Sequence, residues 1–231
     1  MSKDLQPISE TSTALAVPSS THADLDLGDI VLPKIILQHG QSQLVDAGVA
    51  KKGDLMLGAS ADDIGAVKLT GFSDEPVKMY ILSTQKTAAI FRTGEAPDFA
   101  AAHGRRDPND PDSWDVFFYQ CYIPGVEEDL PARWMLAKTA ARPAYQAINT
   151  LRLRAENQGD TDPICIMVKT VEKSNRGGIK YSSYQVSAGT PDPAELEQAR
   201  KLQQRAITLN QARRYENDAP SEPAPEQPAF S

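Results

Sequence analysis

Between residues 30 and 187 the sequence returns again and again to short runs of β-branched, aromatic and alternating apolar residues, cut about every ten positions by Gly, Pro or Asp. The runs are 30–37 (IVLPKIIL), 54–59 (DLMLGA), 66–72 (AVKLTGF), 77–83 (VKMYILS), 87–92 (TAAIFR), 114–122 (WDVFFYQCY), 133–138 (RWMLAK), 164–171 (ICIMVKTV) and 179–187 (IKYSSYQVS). Short strands at this spacing predict a sandwich or a barrel. The stretch 94–113 breaks the rhythm with three prolines and a scatter of aspartates, and reads as a long exposed loop.

Two helical periods stand out against this background. In the first, Pro143 stands at a helix start, Ala144, Tyr145, Ile148, Leu151 and Ala155 follow on one face, and Asn157 and Gly159 mark the stop. Arg152 and Arg154 fall on its other face. The second opens at Asp192-Pro193 and keeps Leu196, Ala199, Leu202, Ala206 and Leu209 on a stripe, with Arg200, Lys201, Arg205, Arg213 and Arg214 elsewhere around it. This stripe would cover the chain's own sheet or that of a second copy, so a homo-oligomer is left open. The expected fold is mainly β with two helices (α+β): an OB-like β-barrel with an internal helix, a C-terminal helix and disordered tails.

The ends read differently from the middle. Residues 1–28 are rich in Ser, Thr, Asp and Pro and too poor in large apolar residues to order themselves, so they form an arm. Residues 29–190 make the core domain and 191–215 the amphipathic helix. Residues 216–231 (ENDAPSEPAPEQPAFS) form an acidic, proline-rich tail with an aromatic, Phe230, next to last. The start has no basic segment followed by an apolar core, and no window is apolar enough for a membrane helix. A cytoplasmic protein with no membrane partner is expected.

Net charge is misleading until it is divided. The whole chain carries -7, but residues 93–130 contribute -7 and residues 131–215 contribute +7, with four further acids in the tail. An acidic protein therefore contains a basic C-terminal half. Its cations are either solvated faces of two helices or a binding surface. The hairpin ICIMVKTVEKSNRGGIKYSSYQVS favours the second: Asn175 and Gly177-Gly178 form the turn, and the arms carry Lys169, Lys173, Arg176 and Lys180 among Tyr181 and Tyr184. Strand alternation puts Lys180, Ser182 and Tyr184 on one face. Cations that follow phosphates, interleaved with rings that stack bases, hold single-stranded nucleic acid with little regard for sequence. Arg142, Arg152 and Arg154 of the internal helix would extend the track, and Trp114 and Trp134 are further stacking candidates. Core packing is the competing role for each ring. Trp114, Phe117, Phe118, Tyr119 and Tyr122 crowd one strand, and alternation forbids burying them all on one side.

Catalytic constellations are missing. There is no GxxxxGK[ST] loop, HExxH or CxxC, and His22, His39 and His103 are scattered. Asp107, Asp110, Asp112 and Asp115 do not follow the spacing of an EF-hand loop. Cys121 and Cys165 lie in apolar runs and read as buried thiols. No enzyme activity, metal or cofactor is expected.

One segment carries a resemblance. In LPKIILQHGQSQLVDAGVAKKGDLML, the residues Leu32, Pro33, Lys34, Leu37, Gln38 and Ser42, then Ala50, Lys51, Gly53 and Asp54, look like a run common in tailed-phage genomes. Lys173, Asn175, Gly177 and Tyr181 approximate a hairpin found beyond it. Over about residues 29–187 the chain resembles phage-encoded single-stranded DNA-binding proteins with an OB-like core. That resemblance implies single-stranded DNA as partner in replication, recombination or repair. It also implies replication or recombination proteins reached through the tail and Phe230. An annealing or recombination-mediator protein, and a phage interaction or structural protein that binds no DNA, are the alternatives.

Overall fold

A computed structural model of the chain describes residues 32–218, residues 41 and 94 apart; the arm of residues 1–28 and Phe230 with the tail beyond residue 218 lie outside the described residues. In chain order the elements are β1 (Lys34–Leu37), α1 (Gln43–Asp46), β2 (Leu55–Gly58), β3 (Val67–Thr70), β4 (Val77–Ile90), β5 (Ser113–Ile123), β6 (Glu127–Ala137), α2 (Lys138–Asn157), β7 (Ile164–Ser174), β8 (Lys180–Ala188) and α3 (Pro193–Asp218). The fold is mainly β with three helices, one more than expected, because the Gln43–Asp46 turn closes as a short α-helix. No helix among the described residues is long and apolar enough to cross a membrane.

Two expected boundaries shift for local reasons. The runs 77–83 and 87–92 are one strand, β4. The intervening Thr84, Gln85 and Lys86 are polar but contain no turn residue, and they pair with Tyr119, Phe118 and Phe117. The internal helix begins at Lys138, five residues before Pro143, so the proline lies inside it. Lys138 adopts φ 61°, and this single left-handed residue bends β6 directly into α2 without a loop.

All eight strands join one sheet, in the order β3-β2-β1-β6-β5-β4-β7-β8. Every pairing is antiparallel except β1 with β6. The sheet is strongly curled. Gly53, at the entry to β2, stands five strands from β7, a separation of roughly 24 Å in a flat sheet. Yet the Thr170 hydroxyl of β7 donates a buried 2.6 Å hydrogen bond to the Gly53 carbonyl, and Lys52 pairs with Glu172 at 3.8 Å. These contacts draw the two flanks together into a half-barrel, while β3 and β8 remain the sheet's two edges. The mainly β, barrel-like α+β fold expected from the sequence is thus present as a curled half-barrel.

Strand alternation divides the apolar residues between two faces. On the inner face, Phe117, Tyr119 and Cys121 of β5, Trp134 and Leu136 of β6, Ile35 of β1 and Ile166 of β7 form the main core. Ala141, Ala144 and Ile148 of α2 complete it, and Tyr145 stacks on Phe117 at 4.5 Å. On the outer face, Tyr80, Leu82, Tyr122 and Cys165 receive the α3 stripe of Leu196, Ala199, Leu202 and Ala206. The helix therefore covers its own chain's sheet; the side chain of Leu209 lies outside the described residues. Its start is pinned where the Tyr80 hydroxyl donates to Glu195 (2.8 Å) and accepts from the Asp192 N–H (3.0 Å), with Lys78 on the same carboxylate. Arg200 then holds Asp162 through a 2.7 Å bond, and that guanidinium keeps the Asp162 carboxyl below its ordinary pKa. Both cysteines are buried, and desolvation raises their thiol pKa values.

Gly53 is a sensitive point in this architecture. It has φ 92°, a region L side chains avoid, and a β-carbon built on it would fall 2.2 Å from the Phe72 ring. Gly53→Ala should lower stability by about 2–4 kcal/mol in urea unfolding. Gly178→Ala, at φ 77° with no atom within 4 Å of the added carbon, should cost only the backbone strain, about 1–2 kcal/mol. Equal losses at the two glycines would refute a role for the Phe72 contact.

Candidate nucleic-acid interface

β1 and β6 lie side by side at only two positions, Lys34 with Arg133 and Ile35 with Trp134, and then part. Where they separate, a cleft of about 730 Å³ opens. Its walls bring in Lys34 and Gln38 from the β1 side, Phe118 of β5, Arg133 and Met135 of β6, and Phe99 from the long 94–113 loop.

Alternation explains why these side chains face outward. Since Phe117, Tyr119, Trp134 and Leu136 point into the core, their neighbours Phe118, Arg133 and Met135 must point the other way. On that outer face the α3 cluster takes Tyr122, and the α1 cluster of Leu44, Ala50 and Met56 takes β2. Neither cluster includes Phe118, Arg133 or Met135, and Met135 remains 40% exposed in the middle of the sheet. The Arg133 guanidinium lies 4.1 Å from the Phe118 ring centre, within cation–π range. Phe99 lies against the same ring, 5.6 Å between centroids and tilted by 40°. Lys34 is Arg133's cross-strand partner, so two cations stand together beside two rings.

Tyr184 also lines the cleft. It is 7% exposed and stands edge-on to Trp134, 5.3 Å away at 75°. Burial pushes its hydroxyl up to about 12, so it stays protonated at neutral pH. His39 lines the cleft as well, and desolvation holds its imidazole below the ordinary value, leaving it neutral at pH 7.

The segment 32–54 supplies the end of the cleft nearest β2. The Gln38 N–H donates to the Asp54 carbonyl (2.8 Å), and the Gly53 N–H donates to the Gln38 carbonyl (2.9 Å). Asp54 accepts the Lys51 N–H at 2.9 Å and pairs with Lys68 at 3.1 Å. The Ser42 hydroxyl donates to Oε1 of Gln38. Residues separated in sequence by a short gap thus form one knot around Gln38.

The other expected contacts are dispersed. Trp134 is fully buried on the inner face and cannot receive a base, which corrects its assignment as a stacking residue. Tyr184 does share a face with Lys180 and Ser182, but the curl makes that face the inside, so its ring packs on the core rather than beside exposed cations. Lys180 escapes at the strand end and pairs with Glu172 at 2.8 Å, which raises its pKa. Lys169 is half-buried, while Lys173 and Arg176 are exposed near a turn that Asn175 holds by accepting the N–H groups of Gly177 and Ile179, each at 2.9 Å. On α2, Arg142, Arg152 and Arg154 are exposed, Arg152 being tied to Glu156 at 2.8 Å. Trp114 is half-buried under the Arg106 guanidinium, 5.5 Å from its ring centre.

Only Tyr184 of the expected set therefore reaches the cleft. Lys34, Phe118, Arg133, Phe99 and Met135 were not singled out as contacts by sequence. The usable signal was the crowded aromatic strand, whose alternation requires Phe118 to face away from Phe117 and Tyr119. Compared with known proteins, the chain matches no family model, no curated protein and no solved structure.

Proposed function

We propose that the protein binds single-stranded DNA with little regard for sequence, and acts in phage DNA replication, recombination or repair within the host cytoplasm. The observation that carries this reading is the Arg133–Phe118–Phe99 wall with Lys34 beside it. An unpaired base can enter a cleft and lie on a ring, whereas a duplex keeps its bases stacked on one another and out of reach. Each such stacking contact contributes about 1–3 kcal/mol, and Lys34 and Arg133 would meet the neighbouring phosphates. The exposed Lys173 and Arg176 of the β7–β8 hairpin, with Arg142 and Arg154 of α2, would carry the strand beyond the cleft. The acidic tail and Phe230 would offer replication or recombination proteins a point of attachment.

Binding of oligo-dT and of duplex DNA across a salt series tests the proposal. The single strand should bind tighter at every salt concentration, and log affinity should fall linearly with log salt, by about 0.7 per phosphate neutralised. A full chain and a chain ending at Asp218 that both ignore oligo-dT at low salt would sink it.

A further inference from the structure

Trp114 and Phe118 stand on the same face of β5, because their register on β4 is continuous and residues at even spacing along a strand share a face. Four residues of strand place them about 13 Å apart. Val116 between them is fully buried, and the 94–113 loop touches both rings, Phe118 through Phe99 and Trp114 through Arg106. The two positions are built alike. Each is a half-buried ring with a guanidinium on it, 4.1 Å from the ring centre at Phe118 and 5.5 Å at Trp114. Arg106 is held in place by its Nε, which donates to the Ser113 carbonyl at 3.1 Å, and the Asp107 N–H donates to the Ser113 hydroxyl at 2.8 Å. The terminal nitrogens of Arg106 take no hydrogen bond or ion pair among the described residues, so their donors are left for a ligand. On the other side β6 ends at Ala137, opposite Val116, so no strand flanks Trp114 there, and the exposed Lys138 marks the corner.

We propose that Trp114 with Arg106 is a second nucleotide subsite, on which a single strand leaving the cleft at Phe118 lays a further base. The proposal rests on the single-stranded DNA reading and adds a direction to it, along β5 toward Trp114. A single ring–guanidinium pair is explained well enough as a fastening for the loop. Its repetition on the same face, with a ring still partly open to solvent and donors to spare, is what a strand making successive contacts requires. Stacking is the larger part of what this subsite offers. Arg106 and Lys138 supply cations for phosphates, but the loop also carries Asp107, Asp110 and Asp112, which oppose them. Trp114 should therefore matter more to affinity than the charges around it.

Oligo-dT of graded length provides the test, with affinity from anisotropy and tryptophan fluorescence followed together for the full chain and two variants. The chain has two tryptophans, and because Trp134 is fully buried, quenching by a stacked base reports on Trp114. Wild type should gain affinity in a step at the length that first reaches Trp114, and quenching should begin at that same length. Trp114→Ala should lose the step, binding long oligo-dT about 5- to 150-fold more weakly while shorter oligonucleotides bind as they do to wild type. Trp114→Phe keeps a ring, so it should retain most of the step and lose the quenching, which decides the matter if the alanine variant fails to fold. Long oligo-dT bound by wild type without quenching, quenching that survives in Trp114→Phe, or an unchanged length profile in Trp114→Ala would overturn the proposal while leaving the cleft as the binding site. Absence of binding by wild type at every length would instead strike at the function itself.

Discussion

Phe118→Ala should reduce affinity for oligo-dT at low salt by about 5- to 150-fold, the loss of a single stacked base at ~1–3 kcal/mol. The change removes a ring that is half-buried on the outer face and absent from the main core, so the thermal midpoint should move little. Arg133→Ala should weaken binding as well, since it removes both the proposed phosphate partner and the cation 4.1 Å from that ring. Its signature is different: the salt slope should fall by about 0.7, which Phe118→Ala leaves unchanged. Fluorescence anisotropy of labelled oligo-dT separates the two effects. If Lys173→Glu with Lys180→Glu abolishes binding while Phe118→Ala leaves it intact, the hairpin and not the cleft holds the strand.

The second large effect is one of stability. Trp134 is fully buried between Tyr119, 6.2 Å away, and Tyr184, 5.3 Å away, and it forms part of the inner core. Trp134→Ala should cost about 3–5 kcal/mol in urea unfolding, through lost burial and the cavity left behind. That is a large share of a typical domain's total stability of about 5–15 kcal/mol. Trp114→Ala should cost less, because Trp114 is already half exposed. A Trp134→Ala protein as stable as wild type but unable to bind DNA would mean that this ring faces ligand, and the division of inner from outer face would have to be redrawn.

Much of the fold was legible because strand periodicity is local. The run at 114–122 became β5 to within one residue at each end, the run at 164–171 began β7 at its first residue, and the stripe of Leu196, Ala199 and Leu202 became the seat of α3. The curl was not legible, since it depends on contacts such as Thr170 with Gly53 whose partners are far apart in sequence and carry no distinguishing residue type. The curl also decides which face of each strand the candidate site can use. Parity placed Tyr184 with Lys180 and Ser182, but only the curl decides whether their shared face meets solvent or core. It likewise decided that Trp134 is enclosed and Arg133, its neighbour, is not. Charge counting located the basic half but could not show that Lys180 and Arg152 are engaged by Glu172 and Glu156. Gln38 and Ser42, four residues apart in the segment that follows β1, are joined by a side-chain hydrogen bond that their spacing alone does not reveal.

The two-residue seam between β1 and β6 has a consequence for how the molecule assembles. The β4–β5, β5–β6 and β7–β8 pairs each join strands that are neighbours in sequence. Such pairs can zip early in folding, whereas Lys34 must find Arg133 across the intervening β2 to β5. The seam closes about as long a loop as the β4–β7 pairing but has only two residue pairs to offset that cost, so it is expected to form late, with low φ-values at Lys34 and Ile35 as the check. The cleft is bounded by that seam. Under the proposed function, a partly folded chain would hold every cation and ring of the site while having no cleft to receive a single strand, and binding competence would arrive together with the last tertiary contacts.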